Sequence, residues 1–225
     1  MFFNSVVDWL SLNSSLIFDA TLQTLYMVSV AGIVGFAVGI PLGVVLHTTK
    51  KGGLWQNVAL NRILGAVVNI GRSVPFIVLM VAIIPVTKFF VGTFIGTTAA
   101  IVPLSIGAIP FVARLVEGAL IEVPTGLIEA AQSMGATPMQ IIRKVLLPEA
   151  LPTIINSVTI TLVTLVSYSA MAGTVGGGGL GDVAIRYGFY RYDIGVMAAT
   201  VVLLIIIVQL VQSFGDAIVR QVDHK

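Results

Sequence analysis

Ten carboxylates, two histidines and no cysteine are all that this 225-residue chain offers for acid–base, metal or thiol chemistry. His47 and His224 are too far apart in sequence to suggest a local metal pair, and without cysteine there is neither a thiolate site nor a disulfide framework. The carboxylates are scattered along the chain, and neither a His-Glu-x-x-His nor a nucleophile-elbow pattern occurs. Gly176 to Gly179 run into Leu180, without the lysine that a phosphate-cradling loop needs. The expectation is therefore no catalytic residue, no metal site, and no cofactor bound by this chain. The residues that remain conspicuous are polar groups set in apolar sequence: Arg72 beside Ser73 and Pro75, and the cluster Ser167, Tyr168, Ser169 and Met171. Hydroxyls and a thioether together suit the passage of a polar amino acid with a soft, apolar side chain, although core packing explains any one of them.

The elements that must position these groups follow from composition. With 57% hydrophobic and only 10% charged residues, against roughly 25% charged in an ordinary soluble domain, the chain has more apolar side chains than one water-soluble core can hide. The intervals 20–49, 89–113, 150–181 and 194–215 contain no Lys, Arg, Asp or Glu, and the run 63–86 is broken only by Arg72. Each is long enough to cross a bilayer as a helix, and the hydrocarbon interior, which cannot hydrogen-bond a backbone, favours helices over open strands. The reading is an all-α membrane protein of five transmembrane helices, forming one transmembrane domain over 1–225.

Lys and Arg set the orientation. One side collects Lys50, Lys51, Arg62, Arg114, Arg143, Lys144, Arg220 and Lys225, while the other has Lys88, Arg186 and Arg191. Because cytoplasmic loops carry the positive excess, the N-terminus is expected on the periplasmic side and the C-terminus in the cytoplasm. Residues 1–19 have two aspartates and no base, and are expected to lie at the outer surface with Trp9 at the interface. Neither charge nor pattern points to nucleic acid.

Within the spans, Gly35, Gly39 and Gly43 line one helical face, fit either for packing inside one bundle or for a contact between two copies. Prolines 41, 75, 103 and 110 can kink helices beside a cavity or be tolerated by neighbours. Arg72 lies about 13 Å along its span, where it would meet a substrate carboxylate, pair with Glu117 or Glu122, or snorkel to the interface. The run Gly176 to Gly179 either lets residues 182–193 fold back over an entrance or is a plain flexible exit.

The longest polar excursion, 114–149, is expected in the cytoplasm. Thr125 to Met134 reads as a short helix with Thr125 as N-cap and Gly135 beyond its end in positive φ. Thr137-Pro138-Met139-Gln140 then supplies a capping box, after which Met139, Ile142 and Leu146 make an apolar stripe suited to docking and Leu147-Pro148 closes the unit.

Glu129-Ala130-Ala131, Gly135 and Val145-Leu146-Leu147-Pro148, at these spacings, resemble the EAA loop of ABC-importer permeases, with Val145 in place of the usual isoleucine. Gly71 to Ile77, Glu129 to Pro152 and Tyr168 to Asp182 further resemble the methionine-uptake (MetI) type of that family. The resemblance implies an ABC type I importer permease fold in the bacterial inner membrane. It implies a second copy of the chain, two ATP-binding subunits that hold ATP and Mg, and a periplasmic or lipid-anchored methionine-binding protein. Glu129, Ala130, Ala131, Gly135, Met139, Ile142, Leu147 and Pro148 would then couple to the ATPase, and Arg72, Ser73, Pro75, Tyr168, Ser169 and Met171 would line the path. The rival readings are a different small amino acid or organic anion as substrate and, more distantly, a passive channel or a membrane assembly factor whose inner loop binds a non-ATPase partner.

Overall fold

The computed structural model describes residues 14–222, so Trp9, His224 and the other expectations for 1–13 and 223–225 lie outside the described residues. The described chain is helical: α1 (Ser14–Thr49), α2 (Val58–Ser73), α3 (Phe76–Ala82), α4 (Ile84–Val91), α5 (Thr97–Ile121), α6 (Thr125–Ser133), α7 (Pro138–Ile141), α8 (Leu147–Glu149), α9 (Leu151–Gly173), α10 (Gly179–Val183) and α11 (Ile194–Val222). Two π-helical segments, Ile142–Leu146 and Ala184–Phe189, join α7 to α8 and follow α10.

Four of these helices, α1, α5, α9 and α11, are long and apolar enough to cross a membrane singly, and the fifth span is a bent pair. Where the sequence suggests one straight helix over 63–86, α2 and α3 meet at 103°. Pro75 explains the break, since it has no amide hydrogen to continue the helix and forces the preceding Val74 into an extended conformation (φ −83°, ψ 122°). The 89–113 interval is also displaced. Its first residues complete α4 and a turn, whereas α5 continues to Ile121, so Arg114 and Glu117 lie on a helix and the polar excursion narrows to 122–149.

The bundle is organised by α1 against α5. A β-carbon on Gly35 would stand 2.8 Å from the Ala108 Cβ, one on Gly39 2.6 Å from the Val112 Cβ, and one on Gly43 2.6 Å from the Ala113 carbonyl oxygen. The three glycines are thus used within one chain, bringing two helix backbones close enough for dispersion contacts to accumulate where lipid supplies no hydrophobic drive. Pro41, Pro103 and Pro110 are carried inside α1 and α5 without interrupting them. Helix α9 packs on both α5 and α11, and Met27, Leu104, Leu165, Leu180 and Val196 form the buried centre.

The glycine run is an ordered reversal. Gly176, Gly178 and Gly179 have φ of 82°, 77° and 76°, values that L side chains rarely adopt. The chain turns back so that the Gly179 amide donates to Gln23 Oε1 (2.8 Å) and the Leu180 amide to Thr24 Oγ1 (2.9 Å). Gly173 and Gly181 make the crossing possible, since a Cβ on either would come within 2.3 Å of backbone. The run is therefore an ordered reversal and not a plain flexible exit.

Replacing Gly39 by Val puts branched carbons into the Val112 side chain. Overpacking of this kind costs about 1–3 kcal/mol, and G39V should unfold at a lower temperature than wild type in detergent, while Gly65→Val, with open space at its Cβ, should not shift by a comparable amount.

Candidate functional site

The excursion after α5 is a rigid two-helix unit. Helix α6 begins one residue earlier than a threonine cap would require: Pro124 occupies the N-cap position and makes no side-chain cap bond, so Thr125 is the first helical residue. At its other end Gly135 takes φ 75°, as its sequence position suggests. The Gly135 amide donates to the Gln132 carbonyl (2.9 Å) and the Ala136 amide to the Ala131 carbonyl (3.1 Å), the paired bonds of a Schellman ending. Thr137 then caps α7, with its hydroxyl accepting from the Gln140 amide and the Gln140 side chain accepting from the Thr137 amide.

The apolar stripe of the second helix does not face outward as a docking surface. Ile142 is 4% exposed and Leu146 0%, and both join Val116, Leu120, Ala131 and Ile141 in a core that fastens the loop to the end of α5. Met139 is exposed, Leu147 is half-buried against this core, and Pro148 is exposed. Nor does Leu147-Pro148 close the unit. Pro148 lacks the amide for an i to i−4 bond, the preceding turn widens into the π segment Ile142–Leu146, and a single turn residue, Ala150, leads into α9. The loop is therefore joined almost rigidly to a span.

Outward-facing groups come from α6 instead. Leu127, Glu129, Ala130 and Met134, the last 81% exposed, are at the surface, while Ala131, one turn beyond Leu127, is buried. The spacing 127, 130, 134 is that of one helical face and was legible in the sequence, yet sequence alone does not say which of two amphipathic stripes is turned inward. A cavity of about 210 Å³ separates this helix from the end of α1, lined among others by His47, Lys50, Gly53, Thr125, Glu129 and Gln132. His47 is buried, and its Nδ1 has no hydrogen-bond partner among the described residues.

The residues expected along a path separate into three places. Arg72 and Tyr168 line one cavity of about 150 Å³ between α2, α3 and α5, where the Tyr168 ring stacks on Phe76 at 4.4 Å and 6°. Neither carboxylate suggested for Arg72 pairs with it. Glu117 binds Arg114, which also donates to Asn69 Oδ1, and Glu122 accepts from the Thr153 hydroxyl. Arg72 itself is exposed. Ser73 donates to the Asn69 carbonyl, and Pro75 forms the bend rather than a cavity wall. Ser169 is 2% exposed and its hydroxyl donates to the Val166 carbonyl, so it belongs to the core and is withdrawn from any open surface. Met171 faces a separate, largely apolar groove of about 540 Å³ between α9 and α11. Sequence proximity on α9 thus did not mean a shared wall, because successive residues of a helix point about 100° apart. Among the described residues no cluster of three or more His, Asp or Glu could hold a metal ion.

Residues 39–225 match the family described as binding-protein-dependent transport system inner membrane component. The chain is 80% identical over all 225 residues, the full length of both proteins, to the probable D-methionine transport system permease protein MetI of Vibrio cholerae serotype O1. It is 60% identical over 151 residues, 67% of this chain and 70% of that protein, to the D-methionine transport system permease protein MetI of Escherichia coli K12. A crystal form of the MetNI methionine ABC transporter, in inward-facing conformations, contains a chain with TM-score 0.92 and 55% identity, covering 94% of this chain and 98% of that one. A chain of an amino acid ABC transporter with histidines, at 17% identity and TM-score 0.80, shares the fold.

Removing the Thr137 hydroxyl tests how far the loop owes its rigidity to the cap. Thr137→Ala should cost about 1 kcal/mol locally and speed hydrogen exchange of amides 137–141, leaving exchange in α5 and α9 unchanged.

Proposed function

The chain belongs to the family of binding-protein-dependent transport system inner membrane components, and from that premise we propose that it imports methionine across the bacterial inner membrane as the permease half of an ATP-driven transporter. It is the membrane subunit and not an ATPase: the energy arrives from separate ATP-binding subunits, which hold ATP and Mg. A second copy of the chain completes the permease, and an external methionine-binding protein delivers the amino acid. The substrate assignment rests on the 80% identity with the Vibrio cholerae protein along the whole chain.

The coupling role is carried by one observation, the outward face of Leu127, Ala130, Met134 and Met139 on a loop locked by a Schellman turn and a capping box. Apolar and small side chains there suit the groove of a partner, and the firm junction through Pro148 into α9 transmits any displacement of the loop to a span. Nucleotide binding draws two such loops together, the spans rotate as rigid bodies, and the path opens outward; hydrolysis returns it inward. Glu129, Ala130, Ala131 and Gly135 are read as the coupling segment, with Ile142 and Leu147 holding it to the permease from beneath. Within the path, Arg72 is read as meeting the substrate carboxylate beside Tyr168, since Glu117 and Glu122 are engaged elsewhere.

Two measurements on cells with one copy of the chain test this reading. Gly135→Val forces a β-branched residue into φ 75° without touching a neighbour, a strain of order 1–3 kcal/mol. Uptake of labelled methionine should collapse at matched membrane abundance, and Gly135→Asn, which tolerates the left-handed region, should keep most of it; equal uptake in wild type and Gly135→Val would remove the loop from coupling. Arg72→Ala should reduce uptake about tenfold or more, the effect of losing one charge-assisted bond, while the partner ATPase still co-purifies. Unchanged uptake would return Arg72 to the interface.

A further inference from the structure

One deeply buried polar group is left without a partner. His47 is 6% exposed, so bulk water does not serve it, and its Nδ1 has no hydrogen-bond partner among the described residues. The imidazole lines the cavity of about 210 Å³ between the end of α1 and α6, together with Lys50, Thr125, Glu129 and Gln132. Lys50 and Glu129 make no ion pair with each other or with any other described residue. Lys50 belongs to the turn after α1 and Glu129 lies one turn into α6, so the cavity holds a positive and a negative group apart. The N-terminus of α6 stands at the same place. Pro124 gives it no side-chain cap, and the Thr125 and Gly126 amides have no acceptor among the described residues. The positive end of the helix is therefore open where Thr125 meets the cavity. The opposite wall is firmly built: the Trp55 and Asn57 amides donate to the Thr48 and Thr49 carbonyls, and the Asn61 side chain donates to the Leu46 carbonyl.

Helix α1 has 36 residues, about 54 Å against a hydrocarbon core of about 30 Å, so its last turn reaches the headgroup layer. The rest of the cavity wall is apolar, with Leu54, Ile121 and Ile128. Ile121 is 58% exposed, and Trp55, next to Leu54, is also exposed, as suits groups that meet lipid at the membrane surface. An occupant arriving from the bilayer must bring an anion for Lys50 and the α6 N-terminus, and N–H donors for the Glu129 carboxylate and the imidazole nitrogen. A purely anionic headgroup would leave Glu129 facing a like charge. A phosphate joined by two carbons to a primary ammonium meets every one of these groups at once.

We propose that this cavity is a phospholipid site of the inner leaflet that takes a phosphoethanolamine headgroup, with the phosphate on Lys50 and the α6 N-terminus and the ammonium on Glu129 and His47 Nδ1. The lipid lies between α1 and α6 and sets the seat of α6 on the permease. Its effect on transport rests on the reading of that loop as the coupling segment; its binding does not.

The full chain with its partner ATPase, purified in detergent and stripped of lipid, is titrated with phosphatidylethanolamine, phosphatidylcholine and phosphatidylglycerol of identical acyl chains and followed by native mass spectrometry. Phosphatidylethanolamine should bind at least about tenfold more tightly than the other two, because a trimethylated headgroup has no N–H to donate and a glycerol headgroup carries no positive charge. Glu129→Gln should remove the preference among the lipids, and Lys50→Ala should weaken all of them about tenfold, as expected for a lost charge-assisted bond. His47→Leu should lower the preference and His47→Gln should keep most of it. Should His47→Leu fail to fold, Lys50→Ala and Glu129→Gln, at less buried positions, still decide. Excess free methionine should leave the lipid bound. In proteoliposomes with a fixed share of phosphatidylglycerol, replacing phosphatidylethanolamine by phosphatidylcholine should lower methionine uptake several-fold while ATP hydrolysis continues. Equal binding of the lipids, a preference unchanged by Glu129→Gln, or displacement by methionine, which would assign the cavity to a soluble zwitterion, would each overturn the proposal. Equal uptake in both mixtures would overturn the part of the lipid in coupling. If neither mixture supports uptake, the importer reading fails on its own, and the lipid titration still decides the site.

Discussion

Everything in this molecule hangs on how closely α1 and α5 approach. Three glycines on one helix admit Ala108, Val112 and Val116 of the other almost to backbone contact. In lipid, where burial of apolar surface gives no advantage over an acyl chain, such packing is the principal source of helix association. That contact also fixes both ends of the bundle. At one end α1 offers Gln23 and Thr24 as acceptors to the returning glycine segment, and at the other α1 and α5 continue beyond it to frame the loop that carries α6.

The loop shows how a flexible-looking stretch becomes a lever. Its two short helices have few residues each and could not stand alone in water. They are stabilised by a Schellman turn, a reciprocal cap and a shared core in which Ile141, Ile142 and Leu146 meet Val116 and Leu120. Pro148 does not end the helix: the turn before it widens and the chain proceeds into α9. A displacement of the loop must therefore displace a span, which is the mechanical property that the proposed coupling to an ATP-driven partner requires.

The residues proposed for a path are divided among separate places. The 103° bend at Pro75 places Arg72 and the stacked Phe76 and Tyr168 rings around one cavity, while Met171 looks into a groove on another side of α9. Ser169, one residue from Tyr168, turns into the core and satisfies its hydroxyl within its own helix. Polar residues in a span are thus of two kinds: those that close their hydrogen bonds locally and serve packing, and those left open, for which water or a solute must provide.

The sequence by itself determined the class of protein, because the number of long charge-free runs and the distribution of Lys and Arg leave a multi-spanning helical bundle as the reading. It also determined the turn chemistry of the loop, since Gly135 at positive φ and the Thr137–Gln140 cap follow from residue type and spacing alone. What only the tertiary structure decided was direction: that Ile142 and Leu146 face inward while Leu127 and Met134 face out, that Gly35, Gly39 and Gly43 serve one chain, and that the second span is bent. Periodicity reports that a helix has two faces, but which face is buried depends on what packs against it, and that partner is distant in sequence.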